Sequence, residues 1–396
     1  MDFVVEYKDC CGCGACHEAC PKSAITMKID EYGYVYASID NELCVDCGKC
    51  KGVCPAIVNN NDKEFEKKAY AGTSLDESTK KSTSGGIFAL FAKKVLSEGG
   101  VVFGTEMNES FDVQVIGIES DEELPKLQGS KYVQSNMLPA FKQIKETLKE
   151  KKVLFCGTPC QVSALKNYIG KENENLILVD IVCHGVPNSQ MFKDEISIFQ
   201  KKYKDNLSGF AFRDKDFGQN CVGNLKFKNK DGKRTLYSYS SPYYTAFLKC
   251  DIFRESCYGC AYSSTNRPGD ITICDYWGVE KQESEFQMAC QEKGIVGISG
   301  IIINTKKGEE FFEKSKEKLL CKESTVEKIQ KENGNLVCPS TRGRNYDTVR
   351  AIYKESGWEG VSSFYNKKYR KQRITRQLYN ACPKFVKKLA RKVLGK

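Results

Sequence analysis

Eight of the 21 cysteines fall into two copies of one spacing, and any fold of this chain has to bring them together. The first copy is Cys10, Cys13, Cys16 and Cys20 followed by Pro21; the second is Cys44, Cys47, Cys50 and Cys54 followed by Pro55. Each reads C-x2-C-x2-C-x3-C-P, a run that in duplicate holds two 4Fe–4S clusters, the fourth cysteine of each run reaching the other cluster. Two-residue spacers let three thiolates converge on one cubane, and thiolates are the soft ligands such a cluster takes. Cys10, Cys13, Cys16 and Cys54 are therefore assigned to one cluster, and Cys44, Cys47, Cys50 and Cys20 to the second. Zinc usually takes cysteines in pairs, and a disulfide framework needs an oxidising compartment. Neither accounts for a doubled run of four, so the chain is read as one that moves electrons.

The 396 residues imply two or three domains, and 40% hydrophobic residues suffice for a normal core. No stretch approaches an apolar membrane span, and MDFVVEYKDC lacks the charged start and apolar run of a signal peptide. The expectation is a reducing, anaerobic cytoplasm. The only histidines are His17, a local spacer inside the first run, and His184. The net charge of +10 is unevenly spread: Asn366 to Lys396 hold 12 Lys or Arg and no Asp or Glu, leaving residues 1–365 at about −2. KFVKKLARKVLGK (384–396) spaces Phe385, Val386, Leu389, Val393 and Leu394 as one face of a basic helix. Such a helix suits an anionic membrane surface at the inner face, an acidic partner, or its own domain. No nucleic-acid reading module accompanies the basic footprint, so nucleic acid is not expected as a partner.

Residues 1–57 read as a two-cluster ferredoxin domain with a hairpin around Gly33, and 58–68 as a polar linker. From Ala69 the pattern becomes α/β: strands at 69–73, 101–107, 113–119, 153–156 and 176–183, with helices at 84–100, after Met137 and after GTPCQ. Residues 205–245 suggest β-hairpins, and DITICDYWG and GISGIIINT return to buried strands. The fold class is thus α+β and α/β: a bacterial-ferredoxin-like domain, a mixed-sheet α/β domain over 69–340, and a basic, partly helical tail over 341–396.

Ser84-Gly85-Gly86 opening a helix is a candidate anion site, with Ser84 as simple N-cap the competing reading. Ser130-Lys131-Tyr132 puts a cation, a ring and a hydroxyl together. A second cysteine constellation is more informative. Cys156 and Cys160 bracket a strand end, Cys183 closes the next strand, and Cys257 and Cys260 form a C-x2-C. Ligands collect at the carboxyl ends of strands in such sheets, so these sulfurs are candidates for a third metal site, with Cys156 and Cys250 as rivals for Cys160. Buried structural cysteines are the competing account.

STSGGIF, GSKYVQS, FCGTPCQV, CHGVP, SCYGC and GDITICDYWG occur in this order. Together they resemble the beta subunit of coenzyme F420 hydrogenases and dehydrogenases, in the bacterial branch with an N-terminal two-cluster ferredoxin domain. The likeness covers roughly residues 1–300. It implies Cys160, Cys183, Cys257 and Cys260 as ligands of a third 4Fe–4S cluster, and FAD held near Ser84, Gly85, Gly86, Ser130, Lys131 and Tyr132. CHGVP resembles members linked with polysaccharide biosynthesis, which puts F420 itself in question as substrate. The resemblance implies an iron–sulfur flavoenzyme exchanging electrons with a small organic donor or acceptor and a redox partner protein. The competing function is an electron carrier without a substrate of its own. No catalytic acid or base is assigned; His184 is a candidate, and Asp270 and Asp275 orient a ligand or cap a turn.

Overall fold

The computed structural model describes residues 3–58, 65–77, 82–170, 172–214, 223–229 and 233–381. The N-terminal region is built on an antiparallel hairpin, β1 (Ile25–Ile29) and β2 (Val35–Ile39), whose registered pairs run from Ile25 opposite Ile39 to Ile29 opposite Val35. Short helices, Ala15–Ala19 and Lys49–Gly52, carry the third cysteine of each run. Both helices start after a left-handed glycine, Gly14 at φ 83° and Gly48 at φ 71°. A side chain there would strain the turn that aims the neighbouring thiols.

The remaining strands are β3 (Lys68–Ser74), β4 (Val101–Met107), β5 (Val113–Ile118), β6 (Val153–Gly157), β7 (Leu176–Ile181), β8 (Leu207–Ala211), β9 (Gly223–Phe227), β10 (Lys233–Leu236), β11 (Ile271–Asp275), β12 (Ser299–Ile303) and β13 (Leu319–Ser324). Eight form one mixed sheet in the order β13-β3-β12-β11-β7-β6-β4-β5. Its centre, β11-β7-β6-β4, is parallel, and its flanks are antiparallel. The central strands read as apolar runs because both faces are buried. Val102, Leu154, Ile177 and Val179 pack towards the helix Ile87–Ser97, whereas Val101, Phe103, Val153, Phe155 and Leu178 pack towards the helices Leu138–Thr147 and Pro159–Ile169. The ferredoxin-like region followed by a mixed α/β sheet is the expected fold class.

The hairpin-rich stretch forms a separate sheet, β10-β9-β8. It joins an aromatic core with Phe192, Phe212, Tyr243, Tyr244, Phe247 and Phe253. The helix Tyr346–Lys368 completes that core with Val349, Trp358, Val361 and Tyr365. Much of the stretch read as a tail over 341–396 is thus structural up to 368. Their lysines lie on the outer face while aromatic residues face inward. The amphipathic stretch 384–396 lies outside the described residues, as do Cys221 and Cys382. Among the described residues no helix is long and apolar enough to cross a membrane.

Candidate functional site

Cys10, Cys13, Cys16 and Cys54 line one cavity, together with Val4, Val5, Met27 and Ala37. Cys54 comes from the second run, so the chain crosses over as the spacing requires. Cys11, Gly12, Gly14 and Pro55 complete the wall; a Cβ on Gly12, at φ +65°, would lie 2.6 Å from Arg254 Nη2 and 2.7 Å from the Val35 carbonyl. Cys50 feels the charges of Cys44 and Cys47, and the Cys20 sulfur accepts the Ala24 N–H at 3.3 Å. Cys47 is exposed, next to exposed Leu43 and Val45.

Across the domain boundary, four further cysteines gather. Cys160 sits in the first turn of the helix Pro159–Ile169, which Thr158 and Gln161 close with a capping box. Cys183 follows β7, Cys257 ends the turn Glu255–Cys257, and Cys260 lies just beyond. Cys183 and Cys257 each feel the charges of Cys160 and Cys260, and Cys257 that of Cys183. Burial pushes the Cys183 thiol up to about 12, its neighbours adding to the shift. Burial likewise raises Cys257 and Cys260. Cys160 is raised first by its hydrogen bond with Cys11, then by burial. Each of the four sulfurs has a backbone amide to accept from: Gln161, Gly185, Val186 and Tyr262 respectively. Part-buried cysteines supplied with N–H donors fit a group that would take them as thiolates and neutralise their charge. Among the described residues no three His, Cys, Asp or Glu converge closely enough to hold a single metal ion. A cubane spreads its thiolates over separate iron corners.

The two rivals face elsewhere. Cys156 feels Asp180 and Lys131, and Cys250 Sγ lies 3.4 Å from His184 Nε2. The other ring nitrogen of His184 faces Asn335 Oδ1 at 3.1 Å, and Phe247 and Phe253 pack edge-on against the ring. Burial lowers its pKa.

Arg254 fastens the ferredoxin region to the sheet domain. It is fully buried and donates to the carbonyls of Cys10 (2.9 Å) and Val35 and to Gln134 Oε1 (3.1 Å). Its guanidinium lies 4.4 Å from the Tyr36 ring centre. Tyr34 donates to the Ile252 carbonyl, and Tyr262 to that of Pro55. Beside the second cysteine group, Arg267 forms a buried ion pair with Asp180 at 2.6 Å.

The two loops expected to hold FAD do meet. Thr83 Oγ1 is 3.2 Å from Ser130 Oγ, and Gln128 Nε2 donates to Ser82 Oγ at 3.3 Å. Arg213 reaches the same loop through the Thr83 carbonyl and pairs with Asp275. Ser84 is not the cap: the helix opens at Gly86, φ 78°. Ser84 Oγ and the Gly85 N–H are bonded instead to Ser299 of β12. Tyr132 stacks on Phe247 at 4.4 Å. Asp270 accepts from the Leu178 amide and Thr305 hydroxyl, each at 2.8 Å, which is the turn role. Cys11, Arg213 and Arg254 had no motif to announce them.

Residues 150–329 match the family described as the C terminus of the coenzyme F420 hydrogenase/dehydrogenase beta subunit, and residues 9–58 match a 4Fe–4S dicluster domain. One of the subunits of the F(420)H(2) dehydrogenase of Methanosarcina mazei is 21% identical over 380 residues, spanning 91% of this chain and 97% of that protein. The coenzyme F420-dependent sulfite reductase of Methanocaldococcus jannaschii is 30% identical over 176 residues, 42% of this chain and 26% of the reductase. A chain in the solved F420-reducing NiFe hydrogenase complex from Methanosarcina barkeri aligns with TM-score 0.45 and 15% identity, over 79% of this chain and 95% of that one.

Proposed function

We propose that the chain, which matches the family described as the C terminus of the coenzyme F420 hydrogenase/dehydrogenase beta subunit over residues 150–329 and a 4Fe–4S dicluster domain over 9–58, is an iron–sulfur flavoprotein oxidoreductase. Its coarser character, an iron–sulfur protein of the oxidoreductase type, follows from the family. The observation that carries the finer reading is the meeting of two four-cysteine groups, Cys10/Cys13/Cys16/Cys54 and Cys160/Cys183/Cys257/Cys260, across one domain boundary. The second group is proposed to ligate a third 4Fe–4S cluster.

FAD is proposed to lie where the two loops meet. Lys131 would face its phosphates and Ser130 would bond it, while Ser84, Gly85 and Gly86 shape the loop that brings Thr83 to Ser130. Tyr132 anchors the other loop in the aromatic core. A flavin exchanges electrons as a pair and a cluster singly, so the combination splits a hydride into single transfers. The organic partner is proposed to be a deazaflavin or another small hydride carrier; CHGVP speaks for a role in polysaccharide biosynthesis. Exposed Cys47, Leu43 and Val45 offer the outer cysteine group to a redox partner protein. That exposure equally favours the second reading, a carrier that only feeds a partner. The basic end of the sequence gives the molecule a means of resting on an anionic surface at the inner membrane face.

Anaerobic purification with iron, sulfide and flavin measured on one sample separates the readings. The flavoenzyme is expected to hold about 12 iron atoms and one FAD per chain, as three 4Fe–4S clusters require. About eight iron atoms without flavin would leave the carrier.

A further inference from the structure

The helix Arg370–Ala381 is held to the body by its basic side and turns an apolar side outward. Just before it, Tyr369 stacks on Tyr365 with ring centres 5.7 Å apart and meets Tyr239 at 5.5 Å. Arg373 donates to Asn366 Oδ1, and the Arg376 guanidinium lies 4.6 Å from the Tyr237 ring centre. These two arginines, three residues apart, share one face of the helix. Ile374 and Leu378, four apart, share another, roughly 150° round the axis. They are 42% and 64% exposed, with exposed Arg370 and Lys371 on either side of them.

A helix that folds back on its own domain buries its apolar face and keeps its charges in water; this one does the reverse. Two exposed apolar side chains would be ordinary on any surface. Their surroundings are not: residues 366–396 hold 12 Lys or Arg and no Asp or Glu. Beyond the described residues the sequence repeats the pair at the same four-residue interval, Phe385 and Leu389, again among lysines. A second copy offered to this face would bring like charges together, which disfavours pairing. A protein groove takes a helix by anchors at i, i+4 and i+7, and position 381 is alanine, with little to insert. An anionic lipid boundary asks for less. Apolar side chains sink between the headgroups, while the cations beside them lay their stems along the boundary and meet phosphate with their charged ends.

We propose that Ile374 and Leu378, set between Arg370 and Lys371, form the face by which the protein lies on an anionic phospholipid surface. This rests on the reading of the basic end as a surface-binding element and assigns the contact to a folded helix. The helix joins the aromatic core through Tyr369, so the contact holds the whole domain and not only a trailing chain. Attachment then has two parts, burial of the apolar pair and attraction of the flanking cations, and salt weakens only the second.

The test uses the full chain, purified anaerobically, and vesicles of phosphatidylcholine with or without phosphatidylglycerol, read by sedimentation. Wild type is expected to bind only where phosphatidylglycerol is present, and more weakly as salt is raised. The double variant Ile374→Ser, Leu378→Ser keeps every charge and is expected to bind about tenfold more weakly. Arg370→Gln combined with Lys371→Gln is expected to lose roughly fivefold per charge removed. All these side chains are exposed, so both variants are expected to keep the wild-type melting temperature. Wild-type affinity in the serine variant would overturn the proposal and leave the contact to residues 384–396. A wild-type dimer that the serine variant abolishes would overturn it in favour of a second copy. Binding to polyglutamate as tight as to the vesicles, and equally blind to the serine substitutions, would overturn it in favour of an acidic protein. Wild type that ignores both kinds of vesicle would instead remove the reading underneath, before any variant is compared.

Discussion

Lys131 carries an ammonium into a place where water hydrates it poorly, with the carbonyls of Gln128 (2.9 Å) and Lys126 (3.2 Å) as acceptors. Desolvation brings its pKa down to about 7, against the smaller opposing pull of Glu106 and Cys156. An unfolded lysine titrates near 10.4, so between about 7 and 10.4 the unfolded chain binds the extra proton and stability rises with pH. Below that window both states are charged and the desolvation cost is felt in full. Lys131→Met is therefore expected to stabilise the FAD-free protein most near pH 7, with the gain shrinking towards pH 10. Urea midpoints at pH 7 and 9.5 would check this; a gain independent of pH would contradict it. Saturating FAD is expected to reverse the sign of the effect at pH 7, since an anion restores a partner to the cation. At this scale the sequence was legible where chemistry repeats at fixed spacing, as in the two cysteine runs. It was silent on Cys11 and Arg254, whose partners come from distant segments and follow no spacing rule.

The elements were read more easily than the helix that closes the aromatic core. Strands such as Val101–Met107 and Val153–Gly157 announce themselves as short apolar runs because both sheet faces are covered. The helix Tyr346–Lys368 was grouped with the basic tail, and a non-helical residue, Gly357, interrupts its periodicity. Its anchor is Trp358, fully buried, whose Nε1 donates to Glu195 Oε2 at 2.9 Å, while Ser241 donates to Oε1 at 2.7 Å. Burial raises the Glu195 pKa, and these donors oppose the rise. Trp358→Ala is expected to cost about 3–5 kcal/mol from the cavity alone, with more from the unmatched carboxylate. Trp358→Phe recovers most of the volume without the N–H, so its remaining deficit in denaturant melts reads out the hydrogen bond. A loss under about 1 kcal/mol in Trp358→Ala, below the usual cost of emptying such a site, would return this helix to the status of a tail.

Across the whole molecule, the sequence legibly divided ferredoxin region from sheet domain but could not say how they sit together. The join is polar: Arg254 to the Cys10 and Val35 carbonyls, Tyr34 to Ile252, Tyr262 to Pro55, and Asn167 to Val58. Arg254→Met keeps much of the volume but leaves buried carbonyls without donors, at about 1–3 kcal/mol each. A protease site introduced between residues 59 and 64 gives the readout. After cleavage, the N-terminal fragment is expected to co-purify with the remainder in wild type and to separate in Arg254→Met. Separation in wild type would show that covalent continuity, not these contacts, holds the halves.

The buried guanidinium has a consequence for how such a molecule can be divided. With the spacing between the two cysteine groups held by contacts on folded surfaces, the peptide joining them is free to differ in length or to be missing. Halves made as two polypeptides are then expected to find each other as they do within one, a docked pair of folded surfaces that shares a backbone.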